Sequence, residues 1–155
     1  MPAAGPATFR CMRRSVEPPR QVGAYDFHHR LRVRFAETDA MGVVHHAAYL
    51  PYLEEARVEY LRSSGHPYHE VRAQGVEFAV LEAAVQYLAP LRFDDEVDVH
   101  LVLAATTRAT FQIAYLLTVG ERAAAVAVTV HGCITPDGRP TRLPVWLRAT
   151  LAPPR

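Results

Sequence analysis

The chain has no lysine and no asparagine, and its only serines are Ser15, Ser63 and Ser64. Without lysine there is neither a Schiff-base nucleophile nor a P-loop phosphate lysine. With serine so scarce, no G-x-S-x-G nucleophile elbow exists. The 17 basic residues are therefore all arginines; against 16 acidic residues they leave a formal net charge of +1. That balance gives no basic field for nucleic acid and no acidic field for cationic partners. Cysteine is limited to Cys11, in a tail, and Cys133, in an apolar run. A disulfide framework is not expected, and a reducing cytoplasm fits. No apolar run is long enough to suggest a membrane span.

Half of the 155 residues are apolar, which is enough for one compact domain with a real core. Residues 1–23 are rich in Pro, Ala and Arg without apolar periodicity, and read as a disordered extension. Their arginines would suit a transit peptide, but no apolar segment of a secretory signal follows. The domain is expected over residues 24–150. From Tyr25 to Ala36 the chain alternates, with Phe27, Leu31, Val33 and Phe35 inward and Arg30, Arg32 and Arg34 outward. The His28-His29 pair breaks that phase.

A helix is expected from about Ala48 to Ser64. Tyr49, Leu50, Leu53, Ala56, Tyr60 and Leu61 share one stripe, with Arg57 inside it and Glu54 on its border. Glu55, Glu59 and Arg62 lie opposite, as a solvated face. Gly65 and Pro67 end the helix after a span of about 25 Å. Pro51 must fall in its first turn, where a missing N–H costs least. A short linker, residues 66–75, leads to long strand-like runs over Val76–Leu88, Glu96–Thr107, Thr110–Val119 and Arg122–Thr135. Their connections are too short for crossover helices, so the neighbours are antiparallel. The order β-α-β-β-β-β is an α+β fold: a long antiparallel curved sheet wrapped around one central helix. Ala123, Ala124, Ala125 and Ala127 would let another subunit approach closely, so a homodimer or homotetramer is expected.

Chemistry concentrates between the first strand and the helix, in RFAETDAMGVVHHAAYLPYLEEAR, Arg34 to Arg57. Asp39 can lie beside the helix N-terminus if Gly42 lets the loop fold back. A helix start offers free N–H groups to a carbonyl oxygen gaining negative charge, so carboxylate plus helix end is a minimal acyl-transfer site. The structural alternative is an Asp39 that only shapes its turn. With Asp39 the two histidines could suggest a metal site, but adjacent imidazoles point apart on extended backbone, so His45 and His46 would not both join it and a third clear ligand is missing. His46 needs to supply only its backbone N–H; alternatively His46 caps the helix while His45 meets a neighbouring subunit. Glu54 is a second candidate carboxylate, although a pair with Arg57 steadying the helix is the plainer reading.

This stretch resembles the signature of hotdog-fold acyl-CoA thioesterases of the 4-hydroxybenzoyl-CoA thioesterase and YbgC type. Thr38, Asp39, Gly42, Val43, Val44, His46, Tyr49, Glu54, Ala56 and Arg57 match it, and the later segment Tyr87–Asp95 resembles that family's link between its second and third strands. The resemblance covers about Tyr25 to Leu143. It implies that Asp39 is the catalytic carboxylate, as nucleophile or as base for water, and that the His46 N–H polarises the thioester carbonyl. Glu54 matches the helix acid used by a sister branch. Gly42, Val43, Tyr49, Arg57, Tyr60 and Phe78 would bound the substrate, partly in a pocket shared with a partner subunit, and Arg108 would meet the CoA phosphates. No metal or cofactor is implied. Ala48, where many members carry Asn or Ser, and Pro51 depart from the pattern at the helix start. Cleavage of acyl-CoA is the leading expectation. The alternatives are an acyl-carrier-protein substrate, a hotdog dehydratase or hydratase, and a non-catalytic acyl-CoA-binding module.

Overall fold

The computed structural model describes residues 13–151. Five strands, β1 (Phe27–Arg32), β2 (Glu77–Tyr87), β3 (Glu96–Thr106), β4 (Thr110–Val119) and β5 (Arg122–Ile134), form one antiparallel sheet in the order β1-β3-β4-β5-β2. The sheet curls around helix α1 (Tyr49–Ser63), the hotdog arrangement expected from the sequence. Register shifts at Val80/Glu82 in β2, at Leu103/Ala105 in β3 and opposite Leu117/Thr118 of β4, where Ala124 of β5 is the extra residue, mark the bulges that bend it. Opposite the β2 bulge, a Cβ on Gly132 would lie 3.1 Å from the Leu81 side chain, a tight approach that the glycine avoids.

Burial follows the pleat. Leu101 and Leu103 of β3, Phe111, Ile113, Tyr115 and Leu117 of β4, and Ala125 and Ala127 of β5 pack on Leu53, Ala56 and Tyr60 of α1. Of the alanines expected to meet another subunit, Ala124, Ala125 and Ala127 are buried in the protomer and belong to its core cluster, and Ala123 is half-buried. The unpaired long edge is β2 instead, where Val80 is 54% exposed.

The helix stripe is rotated slightly from the sequence expectation. Tyr52 is buried and Leu50 is largely exposed, because the Tyr52 hydroxyl has an interior partner, described below. β1 keeps its phase through the histidines: Phe27, His29 and Leu31 face one way and His28, Arg30 and Arg32 the other. His29 takes the inward place because its Nε2 reaches Glu55 Oε1 at 2.7 Å. Glu55 is thus a partner of the strand as well as part of the solvated face. Phe35, expected inward, lies past the strand end and is 75% exposed, edge-on to Phe93.

Two short helices, α2 (Tyr68–Ala73) and α3 (Val145–Ala149), fall where the sequence suggested a linker and a tail. Each follows a proline, Pro67 and Pro144, and each is too short to show a readable period. Residues 13–23, read as part of a disordered extension, are held against the convex face of the sheet. The Arg13 and Ser15 amides donate to Glu82 and Gln112, and the Gln112 amide returns bonds to the Arg13 carbonyl and Ser15 Oγ. The same face carries Leu116, Val126, Val128 and Val130, all buried, which is the apolar surface that gives this proline-rich arm something to cover. Residues 1–12, including Cys11, lie outside the described residues.

Leu53 is buried at the centre of the α1 stripe and Leu50 is not. Chemical denaturation should show Leu53→Ala losing about 2–5 kcal/mol. Leu50→Ala should stay within about 0.5 kcal/mol, and a larger loss at Leu50 would contradict the observed helix rotation.

Candidate active site

The loop between β1 and α1 closes on itself. Thr38 bridges Val44, the Asp39 N–H donates to the Val43 carbonyl at 2.9 Å, and the Gly42 N–H donates back to the Asp39 carbonyl at 2.9 Å. Gly42 sits at φ +74°, the left-handed region where glycine carries no Cβ penalty. Asp39 itself is half-buried, and its Oδ1 accepts the Met41 N–H at 2.8 Å. The turn-shaping role is therefore real, but it uses one carboxylate oxygen. Oδ2 makes no hydrogen bond among the described residues.

The helix start is built in two steps, a 3-10 turn His46–Ala48 and then α1. Pro51 is the third residue of α1, within the first turn. The capping imidazole is His45: its Nδ1 accepts the Ala47 N–H at 3.1 Å, a job Ala48 has no side chain to do. The two imidazoles lie side by side, centroids 4.0 Å apart and ring planes tilted by 31°, instead of pointing apart. The His46 N–H, at the first residue of this turn, has no acceptor among the described residues, and it is the kind of orphan donor a helix start leaves.

Two residues that sequence reasoning missed hold this geometry. Glu37 receives the Tyr52 hydroxyl at 2.5 Å, the Arg34 N–H at 2.9 Å and the Arg34 guanidinium at 2.6 and 2.8 Å, while its carbonyl takes the His45 N–H. Burial disfavours the Glu37 carboxylate, but these hydrogen bonds outweigh it and hold the carboxyl below the ordinary range. The spacing of Arg34 and Glu37 was a signal in the sequence; the Tyr52 contact, 15 residues along, was not. The other anchor is the β2–β3 link: the Val44 N–H donates to the Leu91 carbonyl at 2.8 Å, and Arg92 reaches the Gly42 carbonyl. The two family-like sequence segments therefore meet in space.

Asp39, Val43, His46 and Tyr49 line one open cleft with Tyr87 and Pro90. Tyr49 packs edge-on to Tyr87 at 4.9 Å, closing its apolar side. Glu54, Arg57, Tyr60 and Phe78 line a different space, a cavity of about 260 Å³ between α1 and the far end of β2. Glu54 reaches Arg57 only at 3.9 Å. Arg108 lines neither space. It is exposed at the β3–β4 turn, near the Phe78 end of the sheet, where Ala109 bonds Cys133, the partner of Phe78. No helix among the described residues is long and apolar enough to cross a membrane.

The family model for the thioesterase-like superfamily matches residues 33–151. The chain belongs to that superfamily. Its curated relatives include a 1,4-dihydroxy-2-naphthoyl-CoA hydrolase of Nostoc punctiforme, 33% identical over 74% of this chain and 82% of that protein. The acyl-CoA thioester hydrolase YbgC of Escherichia coli is 41% identical, over 44% of this chain and 52% of that protein. Among solved structures, a hypothetical protein from Aquifex aeolicus superimposes with a TM-score of 0.77 at 41% identity, covering 82% of this chain and all of that one. The chain is thus a thioesterase on a hotdog scaffold, with its matched segment spanning the loop, the helix and the sheet.

In this thioesterase Tyr52→Phe removes one donor from Glu37. At neutral pH the variant should lose about 1.5–3 kcal/mol, the worth of a hydrogen bond to a charged group. The folded carboxyl lies below its unfolded value, so its contribution is present above the unfolded pKa and lost as pH falls through the folded one. The gap between wild type and variant should shrink on acidification; a gap unchanged from neutral to acid would exclude Glu37 as its source.

Proposed function

We propose that this thioesterase hydrolyses acyl-CoA to the free acid and CoA, with Asp39 as the reacting carboxylate and the His46 N–H as oxyanion donor. As Asp39 Oδ2 removes a proton from water, the oxygen adds to the thioester carbon and the carbonyl oxygen takes the charge. The oxyanion rests on the His46 N–H at the helix start. Collapse breaks the C–S bond, and the CoA thiolate leaves and is protonated. Direct attack by Asp39, followed by hydrolysis of the anhydride, uses the same oxyanion donor. A thioester carbonyl has little resonance stabilisation, so one carboxylate and a preorganised donor suffice.

The observation that carries this reading is the pairing in one cleft of a carboxylate with an uncommitted oxygen and a backbone N–H without an acceptor. The names of the Nostoc and E. coli relatives support a CoA ester as substrate. Arg108 is suited to a CoA phosphate, because its exposed guanidinium would offer a planar donor fork.

The proposal includes a dimer. In one protomer the cleft that holds Asp39 stands open to solvent, whereas the cavity at the opposite end of β2 is more enclosed and has no carboxylate beyond the exposed Glu54. Antiparallel pairing of two copies along the open β2 edge would bring the cleft of one beside the cavity of the other. A homotetramer built sheet on sheet is less well supported, because residues 13–23 occupy the convex face. A cytoplasmic location is part of this reading, supported by the thiol of Cys133, buried and unpaired among the described residues.

Across a panel of acyl-CoA esters followed by thiol release, Asp39→Ala and Asp39→Asn should lose about 10²–10⁴ in kcat. Unchanged turnover would remove Asp39 from the mechanism and make Glu54→Ala the next variant.

A further inference from the structure

The apolar stripe of α1 is broken by one cation. Arg57 stands among the buried Leu53, Ala56 and Tyr60, and its side chain is 15% exposed. A charge so placed needs partners, and those it has are weak. Glu54 is 3.9 Å away and 72% exposed, so water screens the pair. The single hydrogen bond of the guanidinium among the described residues runs from Nη1 to the Tyr115 hydroxyl, at 3.3 Å. A guanidinium carries five N–H donors, so most remain available in the cavity that Arg57 lines.

Behind Arg57 the hydrogen bonds form a chain. Tyr115 accepts from Arg57 and shares a hydrogen bond with Thr129 Oγ1, 3.0 Å away. Thr129 Oγ1 in turn lies 2.7 Å from His131 Nε2, so the four side chains are joined in sequence. Burial, with the Arg57 charge adding to it, pushes the His131 pKa down to about 3, so the ring is neutral. Phe111 stacks on it at 4.7 Å. The polar groups lining the cavity are thus Arg57, the neutral His131, the exposed Glu54 and the hydroxyl-bearing Tyr60 and Tyr68, and the remaining walls, Phe78, Ile113 and Leu147 among them, are apolar.

We propose that Arg57, positioned by the Tyr115–Thr129–His131 chain, determines acyl specificity by binding an oxygen acceptor at the end of the acyl group remote from the thioester. The proposal rests on the reading above that this cavity receives the acyl group. An acyl chain ending in a carboxylate or a hydroxyl satisfies the donors and offsets the buried charge. A plain hydrocarbon end desolvates them without a partner, and that is the asymmetry by which polar pockets discriminate strongly.

Three CoA esters of equal chain length test this: hexanoyl, 6-hydroxyhexanoyl and adipyl, the last ending in a carboxylate. The wild type should favour at least one oxygen-ended ester over hexanoyl by about tenfold or more in kcat/KM. Preference for adipyl alone identifies a carboxylate as the acceptor, and preference for both identifies an oxygen acceptor in general. Arg57→Met should abolish the preference, so that within this variant the three esters are used with kcat/KM values alike to within about threefold, the change appearing mainly as a raised KM for the oxygen-ended esters. Thr129→Val, which cuts the chain and keeps the charge, should reduce the preference in part. Equal or better use of hexanoyl by the wild type would overturn the proposal, as would an equal loss on all three esters in Arg57→Met. Calorimetric binding of the esters to Asp39→Asn separates the two claims. The same order of affinities without turnover in the wild type would support the pocket and contradict the hydrolysis, and no order of affinities would overturn the pocket itself.

Discussion

The hydrogen bond from Tyr52 to Glu37 joins three elements that are far apart in the chain's logic: the end of the first strand, the loop that carries Asp39, and the first turns of the central helix. Arg34 holds the same carboxylate from the strand side, and the Glu37 carbonyl receives the His45 N–H. With those fixed, the turn at His46 is presented at a defined distance from the Asp39 hairpin. The side chains that do this are not the reactive ones. A backbone N–H acts as an oxyanion donor only if the backbone cannot follow the substrate, and this cluster supplies that rigidity.

The sheet imposes a second constraint. Curled around one helix, it leaves β2 as an edge of 11 residues with exposed aliphatic side chains, and such an edge is normally covered or paired. The cleft that holds Asp39 lies at its Tyr87 end and the more enclosed cavity at its Phe78 end. A thioester needs both a reacting carboxylate and room for its acyl chain. The proposed pairing of two copies along β2 would meet both needs and would also cover the edge. The arm of residues 13–23 deals with the other exposed surface, the convex face, by laying polar backbone on Glu82 and Gln112 over buried valines.

Much of this was legible in the sequence because it depends on local pattern. The four long strands and the helix follow from period 2 and period 3.6, and their observed ends lie within one or two residues of those expected. The loop was legible because Asp39, Gly42 and His46 sit at a distinctive spacing. The features that escaped depend on contacts distant in sequence. Tyr52 rather than Leu50 is buried because of Glu37, and His29 turns inward because of Glu55. The alanines of β5 looked like a docking surface, but their small size serves close packing under the helix. Tyr115, Thr129 and His131 read as ordinary strand residues until the β4–β5 register sets Ile113 against Thr129 and aligns their hydroxyls behind Arg57.

The claim on which the functional account turns is that Asp39 and the acyl cavity of one catalytic site come from different subunits. Co-expression of two differently tagged inactive variants tests it: Asp39→Asn, with an intact cavity, and Val58→Trp, with Asp39 intact and the cavity filled. In a mixed dimer the account predicts one complete site, so random assembly should recover about a quarter of wild-type turnover per subunit. Recovery of none, with each variant folded and the mixed dimer isolated through its two tags, would mean that each site is built within a single chain.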